Sequence, residues 1–486
     1  MGREESEKPQ VKDYRFGLVY PNSYDVGMGN LAIHLLYRVI NAHPYFSCER
    51  FFLFNNVPMA SLETFSPLTS FDIIGFSISY ELDYFNVIEV LKRSNIPPKS
   101  VDRNLNYPLI IAGGACMSYN PEPISDVFDL IVIGDGEETV LEILNRYREY
   151  VGLGRSKEEF LLSFVDIKGV YIPRFYEKGE PIFKNVPQKI NRSIFRDFDK
   201  ETAYTTIYAP NAVFGDLFLI EIERGCPMRC RFCVAGNVYL PCRIKSMKTV
   251  KDVIRYRNEK HKKIGLMGPL VGGIPYIKNL LRWFIEEGLQ VSVSSLRIST
   301  LDREFLTLLK EAGEDSITIA PEFVDESLRF SVGKRESSEK IIDVLNSALE
   351  VGFERIKLYM MFGYDDYTLE LNALERFKLD LERLNRAYRS KFVINFQPLI
   401  PKPLTPFQFR NMEDRVVLQK QAKAILDLLK DRYIKVQIAS VRESILEGVL
   451  ARGGRELFPF ILNNDRRGIL KHTHYTSTKA PWDFIN

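Results

Sequence analysis

The sequence predicts an α/β chain built from two parallel-sheet domains in tandem. Three observations predict it. Short apolar runs alternate with helix-like stretches over residues 14–150, and the alternation resumes at 217; that is the pattern of parallel strands joined by crossover helices. Glycines follow several of the strand-like runs, where open α/β sheets place their ligand-binding loops. The chain has 486 residues, more than one core ordinarily holds, so two or three domains are expected.

Residues 1–12 read as a disordered polar tail. In the first domain, 13–150, RFGLVY is strand-like and NLAIHLLYRVINAH helical; FDIIGFSIS is a buried strand followed by the helix YFNVIEVLKRS. YPLIIAGG and FDLIVIGDGEE are strands ending in glycine, the second followed by the helix TVLEILNRYREY. This is a doubly wound, Rossmann-like arrangement, with Gly113, Gly114, Gly134 and Gly136 just beyond strand ends. They serve either a ligand or tight turns alone. Residues 151–215, rich in Pro, Asn and aromatics, read as a linker packed against both neighbours. From 216 to 412, six strand candidates (DLFLIEIERG, KKIGLMGP, LQVSVSSLR, DSITIAPE, RIKLYMMFG and KFVINFQPLIP) are separated by helical stretches. They suit a partial (β/α)6 TIM-type barrel with its chemistry at the carboxyl ends of the strands. Residues 413–486 read as a helical C-terminal extension. In it His472, His474, Tyr475, Trp482 and Phe484 either cap the barrel mouth or act as packing anchors.

Hydrophobic residues make up 45% of the chain and aromatics 12%, enough for sizeable cores, and charged residues 27%, ordinary for a soluble protein. The net charge of +3 makes no electrostatic case for nucleic acid. Lys and Arg are dispersed among acids and read as solvated faces, with a basic substrate groove as the alternative. No apolar run reaches the length of a transmembrane helix. The opening MGREESEKPQ lacks a signal-peptide apolar region; Gly2 and Ser6 match the loose myristoylation pattern, but a polar tail is the simpler reading. A cytoplasmic location is expected.

Three of the six cysteines fall within eight residues, in Glu223-Arg224-Gly225-Cys226-Pro227-Met228-Arg229-Cys230-Arg231-Phe232-Cys233. That points to a metal in a reducing compartment rather than a disulfide framework. Gly225 and Pro227 favour a loop, from which Cys226, Cys230 and Cys233 can converge on a soft metal centre. Arg224, Arg229 and Arg231 supply charge to offset the thiolates. Three ligands leave one iron of a four-iron cluster open. Zinc, with Cys242 as fourth ligand, is the competing reading, and with it a non-enzymatic four-cysteine scaffold.

The motif resembles the CxxxCxxC signature of the radical S-adenosylmethionine superfamily, including the aromatic Phe232 before the last cysteine. The resemblance implies a [4Fe–4S] cluster whose open iron binds S-adenosylmethionine. Reductive cleavage to a 5′-deoxyadenosyl radical then abstracts substrate hydrogen. It further implies S-adenosylmethionine contacts at Phe232, Gly268, Ser294, Ser295, Arg297 and Glu322. Gly268-Pro269 lacks the usual acidic partner.

Further segments resemble radical S-adenosylmethionine enzymes with an N-terminal cobalamin-binding domain: YPNSYDVGMGNL (20–31), DIIGFSISYELDY (72–84), IIAGGACMSYNPEPISDVFDLIVIGDGEE (110–138), IKLYMMFG (356–363), QPLIPKPLTPFQF (397–409) and APWDFI (480–485). The resemblance implies cobalamin at the carboxyl edge of the first sheet. Its nucleotide tail would lie along Gly113, Gly114, Gly134, Gly136 and Glu137, and its corrin against Tyr24, Gly27, Met28, Asn30, Ser77, Ser79, Tyr80 and Glu81. Many such domains carry a cobalt-ligating His in Asp-x-His-x-x-Gly. Here Asp25-Val26-Gly27-Met28-Gly29-Asn30 has Gly27 in that place, so the loop supplies no imidazole, and a relic domain without cobalamin is the alternative. His34 and His43 read as structural, and Cys48 and Cys116 as core thiols.

The expected function is cobalamin-dependent radical methylation of an unactivated carbon, with a protein or peptide side chain favoured as substrate and an electron donor as partner. The catalytic residue is not identified by the sequence. The alternative among radical enzymes is RNA methylthiotransfer or another non-methylating reaction. Methylthiotransferases resemble this architecture but carry three further cysteines in the first domain, where this chain has Cys48 and Cys116.

Overall fold

A computed structural model describes residues 9–54, 57–472 and 480–486. Most of the expected tail at 1–12 and the residues Gly2, Ser6, His474 and Tyr475 lie outside the described residues. The chain forms two compact units: Met1–Gly215 with Val449–Asn486, and Asp216–Gly448.

The first unit is organised on a six-stranded sheet: β1 (Tyr14–Tyr20), β2 (Phe46–Phe52), β3 (Ile73–Ser77), β4 (Leu109–Gly113), β5 (Leu130–Val132) and β6 (Val170–Tyr171), in the order β2-β1-β3-β4-β5-β6. The first five strands are parallel and β6 is antiparallel to β5. Every residue of β2 and β3 is buried. Helices cover both faces of such a sheet, so its strands are buried on both sides; β3 is a continuous IIGFS run, and β2 buries Glu49 and Arg50 against Arg15 and Glu63. In the order 2-1-3-4-5 the chain reverses direction across the sheet between β1 and β3, and the crevice beyond their carboxyl ends is where such folds bind ligands.

Two expectations need correction here. Residues 151–215, expected as a linker packed against both neighbours, belong to the first unit: β6 extends the sheet, Ser193 bridges to Gly134, and the Thr206 amide donates to His34 Nδ1 at 3.2 Å. The end of the chain belongs to this unit too. Ile485 pairs with Ile190, Trp482 is fully buried, and the Phe484 ring lies 4.5 Å from that of Tyr171. Asn120 Nδ2 donates to the carbonyls of Ala451 and Gly453, and Arg455 pairs with Glu122 at 3.0 Å. Trp482 and Phe484 are therefore packing anchors. Burying rings of this size contributes roughly 2–3 kcal/mol each.

Gly114 sits where the chain leaves β4. Its φ is +112°, and a Cβ there would lie 2.4 Å from the Ile78 carbonyl oxygen. Neither the dihedral nor the backbone contact can relax cheaply, so Gly114→Ala is expected to cost about 2–4 kcal/mol, read as a lower urea midpoint. An unchanged midpoint would show that this turn is free to move.

In the second unit the strands are β7 (Leu217–Glu221), β8 (Lys263–Met267), β9 (Gln290–Val293), β10 (Ser316–Glu322), β11 (Arg355–Phe362), β12 (Lys391–Pro398) and β13 (Ile434–Ile438). All pairings between them are parallel. They run as β9-β8-β7 and as β10-β11-β12-β13, and a parallel bridge from Leu296 to Ile319 links the two sets. The first six lie where the sequence predicts strands. β13 falls in the stretch expected to be helical, because its five residues IKVQI follow a long helix and carry little signal of their own. The expected six-strand count therefore becomes seven, and the boundary expected at 413 falls inside this unit. Along β11 and β12, Ile356, Leu358, Met360, Phe392, Ile394 and Phe396 are buried. The residues between them form the opposite, polar face, as the two-residue period of a strand requires.

Candidate radical and cofactor site

The cysteine loop follows the carboxyl end of β7. Gly225 has φ +78°, and a Cβ there would lie 2.4 Å from the Tyr239 carbonyl oxygen, so only glycine lets the loop fold back so tightly. The Cys226 amide donates to the Ala235 carbonyl at 3.0 Å, and the Cys233 amide to that of Cys230 at 3.1 Å. Asn237 Nδ2 donates to the carbonyls of Cys230 and Cys233 at 3.1 and 2.7 Å. These bonds fix the backbone and leave the thiols free. Cys226 and Cys230 are buried and Cys233 is half-buried. Phe232 packs on Phe323, Leu328, Val332, Met361, Tyr364, Leu399 and Phe407, which anchors the loop in the core.

Two of the three arginines expected to offset the thiolates have other partners, and the third, Arg229, is exposed. Arg224 makes a two-pronged bond to Glu221 at 2.8 and 2.7 Å. Arg231 lies over the Phe407 ring at 5.1 Å and donates to the Ser331 carbonyl. Arg297, expected at the cofactor, donates to Cys230 Sγ at 3.1 Å and to Glu336 at 2.7 Å. This puts a guanidinium against the Cys230 sulfur.

Three thiols on one fixed loop are the soft donors that an iron–sulfur cluster takes. Among the described residues no three His, Cys, Asp or Glu side chains gather in a group that could hold a metal ion. Cys242 is turned to Glu223, donating to Oε1 at 3.5 Å. Burial, then the Glu223 charge, pushes its thiol up to about 11; burial raises the Cys226 and Cys233 thiols as well.

The other predicted cofactor positions divide. Ser294 Oγ donates to the Gly268 carbonyl at 3.3 Å, which joins two of them; Ser295 beside it is half-buried. Glu322 adopts φ +69°, where β10 loses register, and accepts from Lys334 Nζ at 2.7 Å. A non-glycine residue held there stores about 1–3 kcal/mol of strain, a cost that clusters at functional sites. The acidic group that the Gly268 turn lacks in sequence is present in space. Glu223 is buried, Oε2 accepts the Leu270 amide at 2.6 Å, and Gly268 has room only for hydrogen beside it. Sequence reasoning missed Glu223, Lys334 and Glu336 because their partners lie 12 to 47 residues away along the chain.

In the first unit, the loops after β1 and β3 meet. Asn30 caps the helix Leu31–Ala42 with its Oδ1, and its Nδ2 donates to Ser79 Oγ at 3.2 Å. Both side chains also hydrogen-bond Tyr20 at the end of β1, a residue not singled out from sequence. Ser77 ends β3 and is buried; Tyr80 is 39% exposed. The Tyr24 ring packs edge-on against Phe52 at 5.4 Å. Two predicted corrin contacts face inward instead: Met28 is buried with its sulfur 3.2 Å from Arg50 Nη1, and buried Glu81 accepts from the Tyr119 hydroxyl at 2.6 Å. Both point at the sheet core because the loop residues around them already cover it.

A Cβ at Gly27 would lie 2.3 Å from the buried Phe52 ring. Thus the loop not only lacks an imidazole but has no room for one. His34 is buried and bonded at both ring nitrogens, to the Met28 carbonyl and the Thr206 backbone amide, as befits a structural residue. His43 is likewise buried, with Nε2 against Asn145 Oδ1 at 3.2 Å. The glycines at the strand ends also divide. Gly114 and Gly134 are demanded by the chain itself, since a Cβ at Gly134 would lie 2.2 Å from the Ser193 carbonyl oxygen. Gly113 and Gly136 meet nothing closer than 3.8 and 3.9 Å, so their lack of a side chain leaves open space. Glu137 is buried at the start of the helix Glu137–Tyr150.

Asp83, beside these loops, accepts from Asn22 and Asn86 at 2.8 and 3.1 Å. Burial pushes its carboxyl up to about 6. A folded-state pKa above the unfolded one stabilises the protein at low pH, and that contribution is lost as pH rises through 6. Asp83→Asn is expected to flatten the fall in urea midpoint between about pH 4 and pH 6; an unchanged pH profile would place the titration elsewhere.

Residues 32–173 match the family model "Radical SAM proteins, N-terminal", and residues 220–377 match "Radical SAM superfamily". The chain thus carries one segment matching each of these two radical SAM family models. It shares 30% identity over 466 residues, 91% of its length and 90% of the relative's, with "Uncharacterized protein MJ0966" of Methanocaldococcus jannaschii, and belongs to that protein's family. Its fold is similar to that of the radical S-adenosylmethionine methyltransferase TsrM from Kitasatospora setae with cobalamin and a [4Fe-4S] cluster bound. That likeness has TM-score 0.60, 15% identity, and covers 95% of this chain and 99% of that one. It is also similar to the cobalamin-dependent S-adenosylmethionine radical enzyme OxsB with aqua-cobalamin bound, at TM-score 0.55 and 15% identity, covering 94% and 72%. Among the described residues no helix is long and apolar enough to cross a membrane.

Proposed function

We propose that the chain is a cobalamin-dependent radical S-adenosylmethionine methyltransferase acting on an unactivated carbon, with a protein or peptide side chain as favoured substrate. The observation that carries this reading is the β2-β1-β3-β4-β5 order of the first sheet in the same chain as the three-cysteine loop. Asn30 and Ser79 lie on the loops after β1 and β3, and Gly113 and Gly136, where a Cβ would meet nothing closer than 3.8 Å, follow at the ends of β4 and β5. TsrM and OxsB, both solved with cobalamin bound, are similar in fold over nearly the whole of this chain. The second unit is then a partial β/α barrel of the radical enzyme type, and the protein works in a reducing, cytoplasmic setting.

Cys226, Cys230 and Cys233 would hold a [4Fe–4S] cluster, and the first unit would hold cobalamin without a lower imidazole. Bound there, the cluster supplies the electron for S-adenosylmethionine cleavage and cobalamin supplies a methyl carrier. This chain's own residues hold the partners in place. Arg297 neutralises the Cys230 sulfur. Glu223 and the Gly268 turn offer a buried carboxylate and a carbonyl for the cofactor's ammonium, with Ser294, Ser295 and Glu322 around them. Phe232 closes the loop against solvent.

The test is incubation of reconstituted protein with a reductant and methyl-labelled S-adenosylmethionine, with and without cobalamin. Formation of 5′-deoxyadenosine together with cobalamin-dependent transfer of label to a peptide supports the reading. Cleavage with no dependence of any product on cobalamin would leave a radical enzyme of another kind.

A further inference from the structure

The polar face of β11, β12 and β13 carries a feature that the radical chemistry does not use. At the amino end of these strands a cavity of about 400 Å³ is lined by Arg355, Lys357, Lys391, Arg432 and Lys435, with Gln437 beside them. Strand register puts Arg355 opposite Lys391, and Lys357 in one row with Val393 and Lys435. Among the described residues no carboxylate lies within ion-pair distance of any of the five, whereas Lys263, on β8 of the same unit, is paired with Asp315 at 3.2 Å. Of the two acids adjacent in sequence, Glu354 and Asp431, the second accepts from the Arg432 amide at 2.6 Å. Like charges facing each other across adjacent strands repel; Arg355, Lys391, Arg432 and Lys435 are exposed and Lys357 half-buried, so solvent screens part of that repulsion and a bound anion would relieve the rest.

We infer that this cavity is a binding site for a small phosphate ester. The volume of about 400 Å³ lies in the range of small-molecule sites. Two guanidinium groups can each grip two oxygens of one phosphate, and three ammonium groups supply point charges for the rest. Gln437 and, one strand over, Asn395 continue the same face as neutral hydrogen-bonding groups for the uncharged part of the ligand. β11 spans eight residues, roughly 25 Å at 3.3 Å per residue. The cavity lies at the opposite end of the strands from the edge where the cysteine loop leaves β7. The site is therefore separate from the proposed reaction centre, and it stands or falls without the cobalamin reading.

The test is calorimetric titration of the full chain with inorganic pyrophosphate at low salt, repeated with a nucleoside monophosphate and with single-stranded oligonucleotides of increasing length. Pyrophosphate is expected to bind at roughly 0.1 mM. The double variant Lys357→Gln/Lys435→Gln should bind at least about tenfold more weakly, with iron content and urea midpoint unchanged. Should that variant fail to fold, Arg432→Gln, in the exposed turn before β13, serves in its place. A Lys420→Gln control on the helix Arg415–Leu428 should bind like the parent. No binding at about 10 mM pyrophosphate, equal binding by parent and variants, or affinity that appears only with long oligonucleotides would each overturn the proposal.

Discussion

Replacing any one of Cys226, Cys230 or Cys233 by alanine is expected to reduce bound iron from about four per chain to near zero and to abolish S-adenosylmethionine cleavage. The three residues share one loop whose backbone is fixed by Asn237 and by the tight turn at Gly225. Their thiols are the only groups in that loop able to bind iron, and a cluster deprived of one protein ligand loses its anchorage. The folded chain should survive, because the loop is also held by Phe232 in the apolar cluster around Phe323 and Tyr364. Elemental analysis and the brown colour of the purified variants check the first part, and 5′-deoxyadenosine formation the second. Full iron loading in any of the three would remove that residue from the ligand set. The companion change Cys242→Ala is expected to leave iron intact, since its thiol is bonded to Glu223.

The second large effect is expected at Arg297→Leu. The Arg297 and Glu336 side chains are 9% and 5% exposed and bonded at 2.7 Å. Removing the cation leaves a buried carboxylate without its charge partner, which costs about 3–5 kcal/mol. It also strips Cys230 Sγ of its donor. Both unfolding midpoint and iron retention should fall. Glu336→Gln separates the two causes: it keeps the arginine on the sulfur and should lose stability but hold its iron. Equal iron loss in both variants would mean that Arg297 acts through packing alone.

How far the sequence reveals this arrangement depends on the length over which each signal acts. The strands of the first sheet are legible because both faces are buried and whole runs such as IIGFS are apolar. The cysteine loop is legible because its chemistry is contiguous. β13 is not, for it is five residues long and alternates lysine and glutamine with aliphatics, a pattern equally compatible with a helix turn. The fate of the chain end is hidden as well. Trp482 and Phe484 read as anchors in either unit, and only the pairing of Ile485 with Ile190 decides between them. At the site, Arg297, Glu336, Glu322 and Lys334 form two buried pairs 39 and 12 residues apart in sequence. No local pattern announces such pairs. The arginines within the cysteine motif were the natural local choice, and Glu221 and Phe407 claim two of them. Gly27 is the opposite case: the absence of an imidazole is plain in the sequence, but the reason none would fit, the Phe52 ring, is visible only in the packing.

The measurement that tests the central claim most directly is the iron, sulfide and cobalt content of the chain purified without oxygen and supplied with cobalamin. The account predicts about four irons, about four sulfides and one cobalt per chain, with an electron paramagnetic signature of cobalt lacking a nitrogen ligand from below. Iron and sulfide without cobalt, at saturating cobalamin, would contradict it and leave the first sheet as a scaffold beside a radical enzyme of another kind.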